Sequence, residues 1–261
     1  MDVAKKSLGQ HWLDDEASLQ AMVDAAEISG KDVVLEIGPG QGTLTKKLVK
    51  QAGKVVAVEF DEALASSLPS WVPADNLRVV QQDILKFDLS ELPAGYKVAA
   101  NIPYYLTSNL LRVLCESPNH FSKAALLVQK EVAERVCAKP GDMSLLSVSV
   151  QFYCEVNLGL VVPARLFTPP PKVDSQILKL TYRHQALYPG IDNALFFRIA
   201  RAGFSQRRKT ILNSLSAGLH LSRSETNDLL EAADIEASAR AQELSLDDWF
   251  ALQQAFSSSK T

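Results

Sequence analysis

The stretch Val33-Val34-Leu35-Glu36-Ile37-Gly38-Pro39-Gly40-Gln41-Gly42 decides the architecture. A short apolar run that ends in glycines reads as a strand buried on both faces, the habit of parallel sheets. The glycines let the backbone turn sharply and let a ligand approach it closely. Thr43 to Gln51 then takes up helical spacing, with Leu44, Leu48 and Val49 on one side. The unit is strand, glycine turn, helix.

The same alternation continues outward. Lys54 to Val58 reads as a second strand, and Asp61 to Leu68 as a helix that starts on an N-capping Asp. Leu77 to Val80, Val98 to Ala100 and Ala124 to Val128 read as further strands, with helices around Ser108 to Cys115 and Glu131 to Ala138. Strands alternating with helices argue for a parallel sheet covered on both faces. Ser144 to Phe152 suits either element. Glu155 to Val162 and Gln176 to Tyr182 read as strands, and Phe167 to Ser175, with three prolines, as a rigid loop. From about Asp192 onward the signals are helical only, after the turn pair Pro189-Gly190. The expected division is an α/β domain over residues 1–183 and a small all-helical domain over residues 184–261.

Composition sets limits. With 261 residues, 47% hydrophobic, and Gly and Pro at 12 each, the chain is neither low-complexity nor fibrous. Lys plus Arg is 27 and Asp plus Glu is 30, a net charge of −3 that on its own speaks against a nucleic-acid partner. The three cysteines, Cys115, Cys137 and Cys154, have neither disulfide nor zinc spacing, so a reducing compartment and no metal are expected. No apolar run is long enough to span a membrane, and the N-terminal residues lack a signal or transit pattern; a cytoplasmic location is expected.

Four segments carry chemistry. The glycines fall at 38, 40 and 42, whereas a dinucleotide fingerprint would place its third at residue 43, which is Thr. Pro39 also removes an amide that could hold an anion. This form suits a ligand without a pyrophosphate, such as S-adenosylmethionine. Glu59 ends the second strand, where an acid accepts from ribose hydroxyls, and Asp83 follows the third, suited to an adenine amino group. The plainer reading is ordinary turns with solvated acids. The second segment is Asn101-Ile102-Pro103-Tyr104, at the carboxyl end of a strand. A purine amine is a poor nucleophile because its lone pair is delocalised into the ring. Acceptors at the Asn101 side chain and the Ile102 carbonyl would favour the pyramidal form that attacks a methyl on sulfur. Pro103 stiffens the turn, and Tyr104 offers a face for the base; Asn101 then orients and stabilises rather than acting as a base.

Third, Phe167 either closes the other side of a base pocket or belongs to the core. Fourth, Asn193 to Ser224 contains Arg198, Arg201, Arg207, Arg208, Lys209 and Arg223 and no Asp or Glu. With Leu195, Phe196, Ile199, Ile211, Leu212 and Leu215 facing inward, the cations face out, as an RNA-backbone contact requires. Periodicity assigns no role to Ser7-Leu8-Gly9-Gln10-His11-Trp12-Leu13.

In order and spacing, S-L-G-Q-H-W-L, E-I-G-P-G-Q-G-T-L-T, N-I-P-Y-Y, L-V-Q-K-E-V-A-E-R, F-T-P-P-P-K-V-D-S and F-S-Q-R-R-K-T-I-L-N-S-L resemble the ribosomal RNA adenine N6,N6-dimethyltransferase family of the KsgA/RsmA type. The resemblance covers roughly Ser7 to Trp249. It implies a class I methyltransferase fold: a Rossmann-like, mostly parallel seven-stranded sheet whose last strand runs antiparallel, plus a helical C-terminal domain that binds RNA. It implies S-adenosylmethionine-dependent dimethylation of two adjacent adenines in the 3′-terminal hairpin loop of 16S rRNA, within an immature 30S particle and coupled to ribosome biogenesis, by a monomer. The family's cofactor contacts would fall on His11, Leu13, Gly38, Glu59, Asp83 and Asn101, with Gly40 and Gly42 in the same loop. Its adenine pocket would be Asn101, Pro103, Tyr104 and Phe167. His11 and Trp12 stand where the family more often has Asn and Phe. Three rivals remain: a resistance methyltransferase acting on large-subunit rRNA, a module that checks immature subunits, and a small-molecule methyltransferase.

Overall fold

In the computed structural model, residues 10–259 are described. Ser7, Leu8 and Gly9 of the N-terminal motif lie outside them. Contacts divide the chain into two units. The first comprises the described residues up to Glu134 together with Cys154–Tyr182. The second comprises Arg135–Tyr153 and the described residues from Arg183 onward. The single division expected after residue 183 thus differs in one respect: an earlier stretch joins the helical unit.

In the first unit, the chain-order elements are β1 (Trp12–Leu13), α1 (Glu16–Ala25), β2 (Val33–Ile37), α2 (Thr45–Gln51), β3 (Lys54–Glu59), α3 (Glu62–Trp71), β4 (Leu77–Gln81), β5 (Lys97–Asn101), α4 (Thr107–Glu116), β6 (Lys123–Gln129) and α5 (Lys130–Val136), the last of which runs on into the stretch assigned to the second unit. α6 (Leu145–Tyr153) follows in the second unit, and the chain returns to the first as β7 (Cys154–Val162), β8 (Phe167–Thr168) and β9 (Ser175–Tyr182). The seven-stranded sheet has the order β4-β3-β2-β5-β6-β9-β7. β2 pairs in parallel with both β3 and β5, whereas β9 is antiparallel to β6 and to β7. This is the expected class I methyltransferase sheet with its antiparallel last strand. The apolar strand residues account for it: Val34, Leu35, Val55, Val98, Ala99 and Leu126 are all almost wholly shielded from solvent, as strands covered on both faces require.

The chain leaves β2 toward β3 and β4, and returns on the other side as β5. In open sheets this reversal opens a crevice at the carboxyl ends of the two strands. The glycine loop follows β2, and Asn101 ends β5. The expected helix at Asp61 is present as α3, with the Asp61 carboxylate accepting from the amides of Ala63 and Leu64. The proline loop carries more order than expected: Trp12 and Leu13 pair with Thr168 and Phe167 as a separate two-stranded ribbon.

The second unit is helical. It contains α6 and then α7 (Asn193–Phe204), α8 (Ile211–Leu219), α9 (Arg223–Ala232) and α10 (Leu246–Ser258). Ser144 to Phe152 resolves as a helix. Its buried residues, Ser147, Val148, Val150 and Phe152, fall at spacings that fit either period, which is why the sequence alone left it open. Phe152, Phe196, Ile199, Leu215, Trp249 and Leu252 build the core. Trp249 is fully buried, and its ring lies 5.4 Å from that of Phe204. Replacing Trp249 by Ala removes the largest side chain of this core and is expected to cost about 3–5 kcal/mol. Denaturant unfolding followed by circular dichroism measures it; an unchanged midpoint would contradict this packing.

Candidate functional site

The glycine loop after β2 is held by its neighbours. The Gly38 amide donates to the Val58 carbonyl at 2.9 Å, and the Gly40 amide donates to Glu59 Oε2 at 3.1 Å. Gly40 has φ +55, and a Cβ built there would sit 2.3 Å from the Trp12 ring. Only a residue without a side chain fits under that ring. Gly42 has a different task. Its Cβ would meet Leu68 and Val72 at 2.8 Å, so it lets the loop pack on α3 and does not line the cavity.

Three acids follow. Glu59 is buried and accepts from two backbone amides, that of Asp61 at 2.9 Å on one oxygen and that of Gly40 on the other. Burial raises its pKa, against the pull of those amides. Asp83 is half-buried and caps the turn after β4, accepting from the Leu85 amide at 3.0 Å through one oxygen. Glu36 was not singled out in the sequence. It is 1% exposed, and neither carboxylate oxygen has a hydrogen-bond partner. Burial pushes its pKa up to about 8, aided by the Glu59 charge; the nearby Thr45 hydroxyl acts the other way but makes no well-formed hydrogen bond. The signal was there: a carboxylate in the middle of an apolar strand.

At the end of β5, the Asn101 side-chain amide donates to the His11 carbonyl at 3.2 Å. That bond uses one of the two amide hydrogens and fixes the side chain's orientation, with Oδ1 as its acceptor atom. Tyr104 is half-buried, its hydroxyl 2.9 Å from Ser175 Oγ, and burial raises its pKa. The β1 ribbon crosses here. His11 Nδ1 lies 2.7 Å from the Pro169 carbonyl, and the Thr43 hydroxyl donates to the Leu13 carbonyl at 2.9 Å.

These elements enclose a cavity of about 240 Å³. His11, Leu13, Gly38, Gly40, Glu59, Asp83, Asn101, Pro103 and Tyr104 all line it. The structure therefore brings together nearly every residue singled out in the sequence for cofactor or base. Gly42 and Phe167 are the exceptions. Phe167 is 3% exposed, pairs with Leu13 and packs in the apolar core with Leu19 and Leu127. Its ring faces packing, not the cavity. Glu36, Trp12, Phe60 and Tyr105 also line the cavity and had no role in the sequence reading.

In the second unit, Arg198 and Arg201 stand on the exposed side of α7, opposite buried Phe196, Ile199 and Ala200. Arg207, Arg208 and Lys209 are exposed on the turn before α8. Among the described residues, none of these five has an ion-pair partner. All five side chains are exposed, the placement expected from the sequence pattern.

The family model for ribosomal RNA adenine dimethylase matches residues 1–257. A ribosomal RNA small subunit methyltransferase A of Dehalococcoides mccartyi is 44% identical over 250 residues, covering 94% of this chain and 86% of its own. The protein of that name in Streptococcus thermophilus is 41% identical, covering 96% and 91%. Among solved structures, a dimethyladenosine transferase from Plasmodium falciparum superposes with TM-score 0.81 at 30% identity, covering 96% and 98%. The 23S rRNA methyltransferase ErmE superposes with TM-score 0.73 at 28% identity, covering 94% and 99%.

The Glu36 site makes a prediction about pH. Its carboxyl holds a proton more tightly folded than unfolded, so stability is greatest below the ordinary Glu range and falls as pH rises toward about 8. Glu59 contributes with the same sign. In the ligand-free protein, Glu36→Gln is expected to flatten this decline by up to about 1.4 kcal/mol per pH unit. Urea unfolding from pH 5 to 8.5 reads it; equal slopes for the two proteins would contradict the assignment.

Proposed function

We propose, from the premise that this chain belongs to the ribosomal RNA adenine dimethylase family, that it dimethylates N6 of two adjacent adenines in the 3′-terminal hairpin loop of small-subunit rRNA. It is an rRNA adenine dimethyltransferase, and its methyl donor is S-adenosylmethionine. The observation that carries the reading is the convergence of Glu59, Asp83 and Asn101-Ile102-Pro103-Tyr104 on one cavity at the sheet's reversal point.

The residues present fit such a donor. Glu36 is a buried carboxyl without a hydrogen-bond partner in the cavity wall, and a cationic ligand group beside it would favour loss of its proton and pair with the charge left behind. Glu59 keeps lone pairs beyond those facing the Gly40 and Asp61 amides, for hydroxyls of a ribose. Asp83 keeps one oxygen beyond its turn, for an adenine amino group. His11, Leu13, Gly38 and Gly40 close on the donor from the ribbon and the loop, and Gly42 holds that loop on α3. When bound, S-adenosylmethionine supplies a methyl group on a positively charged sulfur, open to displacement by a nucleophile.

Asn101 Oδ1 and the Ile102 carbonyl accept the two hydrogens of the target amine and hold its lone pair out of the ring plane. Pro103 keeps these acceptors at a fixed angle, and Tyr104 supports the base. Phe167 supports the pocket from beneath through its pairing with Leu13. Because transfer makes the nitrogen cationic, its proton leaves without a strong base, and a neutral Asn suffices. After the first transfer one hydrogen remains for Asn101, and the same geometry serves the second. Arg198, Arg201, Arg207, Arg208 and Lys209 take the RNA backbone.

Relatives at 41% and 44% identity are named for the small subunit, whereas the large-subunit enzyme ErmE is 28% identical. This supports the small-subunit reading over the resistance reading, since the fold is common to both. We place the reaction on an immature 30S particle, in the cytoplasm, with the protein acting as a monomer; among the described residues no helix is long and apolar enough to cross a membrane.

Asn101→Ala is expected to lower the rate of methyl transfer to undermethylated small-subunit particles by about 10²–10³-fold, the usual loss when a preorganised polar contact is removed. Glu59→Gln is expected instead to raise the KM for S-adenosylmethionine with a smaller change in kcat. Initial rates with labelled donor separate the two; an Asn101→Ala enzyme of full activity would overturn the mechanism.

A further inference from the structure

Among the described residues that line the cavity, two side chains hold buried polar atoms without a partner, and they are of opposite kind. Glu36 is an acid whose two oxygens meet no hydrogen-bond partner. Trp12 is an indole whose Nε1–H meets no acceptor. An indole nitrogen can only donate. Burying such a donor with its hydrogen bond unmade costs free energy, so a ligand that brings an acceptor gains by meeting it.

The ring is held where it stands. Trp12 pairs with Thr168 in the ribbon, and the Thr43 hydroxyl ties the next residue, Leu13, to the end of the glycine loop. The benzene half of the indole lies on Gly40: a Cβ there would come 2.3 Å from Cζ3 and 3.0 Å from Cε3. The N–H is on the opposite edge of the indole from that contact.

The chemistry of the donor supplies the acceptor. S-adenosylmethionine ends in an α-amino acid, with an ammonium that donates and a carboxylate that accepts. The glycine loop has little to give the carboxylate. The Gly38 amide is taken by the Val58 carbonyl, the Gly40 amide by Glu59, and the Gly42 amide by the Pro39 carbonyl. Pro39 has no N–H. Glu36 suits the cationic group and leaves the anionic one without a match.

We propose that Trp12 holds the carboxylate of the bound donor through its indole N–H, and so selects a ligand that carries an intact amino-acid end. This inference rests on the reading of S-adenosylmethionine as methyl donor and extends it to a binding residue that the glycine pattern does not mark. A hydrogen bond to a charged group is stronger than one between neutral groups, and the low polarity around a buried N–H strengthens it further.

The test uses Trp12→Phe, which keeps a flat ring over Gly40 and removes the N–H. Calorimetry measures the affinity of wild type and variant for S-adenosylmethionine and for decarboxylated S-adenosylmethionine, which lacks only the carboxylate. Melting temperatures confirm that the variant is folded. Wild type is expected to prefer the carboxylated ligand, and Trp12→Phe to lose about tenfold to a hundredfold of that preference, the range for a hydrogen bond to a charged group. Looser packing of the smaller ring weakens both ligands alike and leaves the ratio of affinities unmoved, so the ratio reads the N–H alone. A preference as large in Trp12→Phe as in wild type would overturn the proposal, and so would a wild type that binds the two ligands equally. A wild type that binds neither ligand would overturn the reading of the donor itself, and this inference with it.

Discussion

The reversal of strand order beside β2 is the constraint on which the rest depends. β3 lies on one side of β2 and β5 on the other, so the segments leaving β2 and β5 splay apart over a gap. Everything chemical sits in or above that gap. The glycine loop must turn immediately after β2, because its amides donate to Val58 and Glu59 at the end of the neighbouring strand. Glu59 is therefore structural and functional at once. It ties the loop to β3 with one oxygen and its own turn to Asp61 with the other.

The first unit closes its own site with a ribbon of two residue pairs, Trp12 with Thr168 and Leu13 with Phe167. That ribbon is short, yet it brings a ring to Tyr104, a carbonyl to Asn101 and an indole to Gly40. A site built this way takes its groups from strand ends and from a ribbon that is itself hydrogen-bonded to them.

Much of this was legible in the sequence because it rests on local rules. Five parallel strands, the cap at Asp61 and the acids at strand ends follow from apolar runs, capping chemistry and the place where such strands stop. The cations from Arg198 to Lys209 were legible as a run without acids, even though the whole chain sums to −3. What was not legible depends on long-range pairing. Nothing local shows that Trp12 meets Thr168, 156 residues away by number, so neither the ribbon nor the His11 stack could be read. The same pairing buries Phe167, which the proline loop left open. Helix α6 escaped because its buried residues fit two periods, and with it the assignment of Arg135–Tyr153 to the helical unit. Glu36 was visible as a residue, but its unpartnered burial is a tertiary fact.

The central claim is that this cavity directs methyl groups to adenine N6 in small-subunit rRNA. The direct measurement is incubation of the protein with labelled S-adenosylmethionine and, separately, small- and large-subunit particles from cells lacking these methylations, followed by mass spectrometry of the released nucleosides. The account predicts N6,N6-dimethyladenosine in small-subunit RNA, mapped to two adjacent adenines near the 3′ end. Dimethyladenosine in large-subunit RNA alone would contradict it.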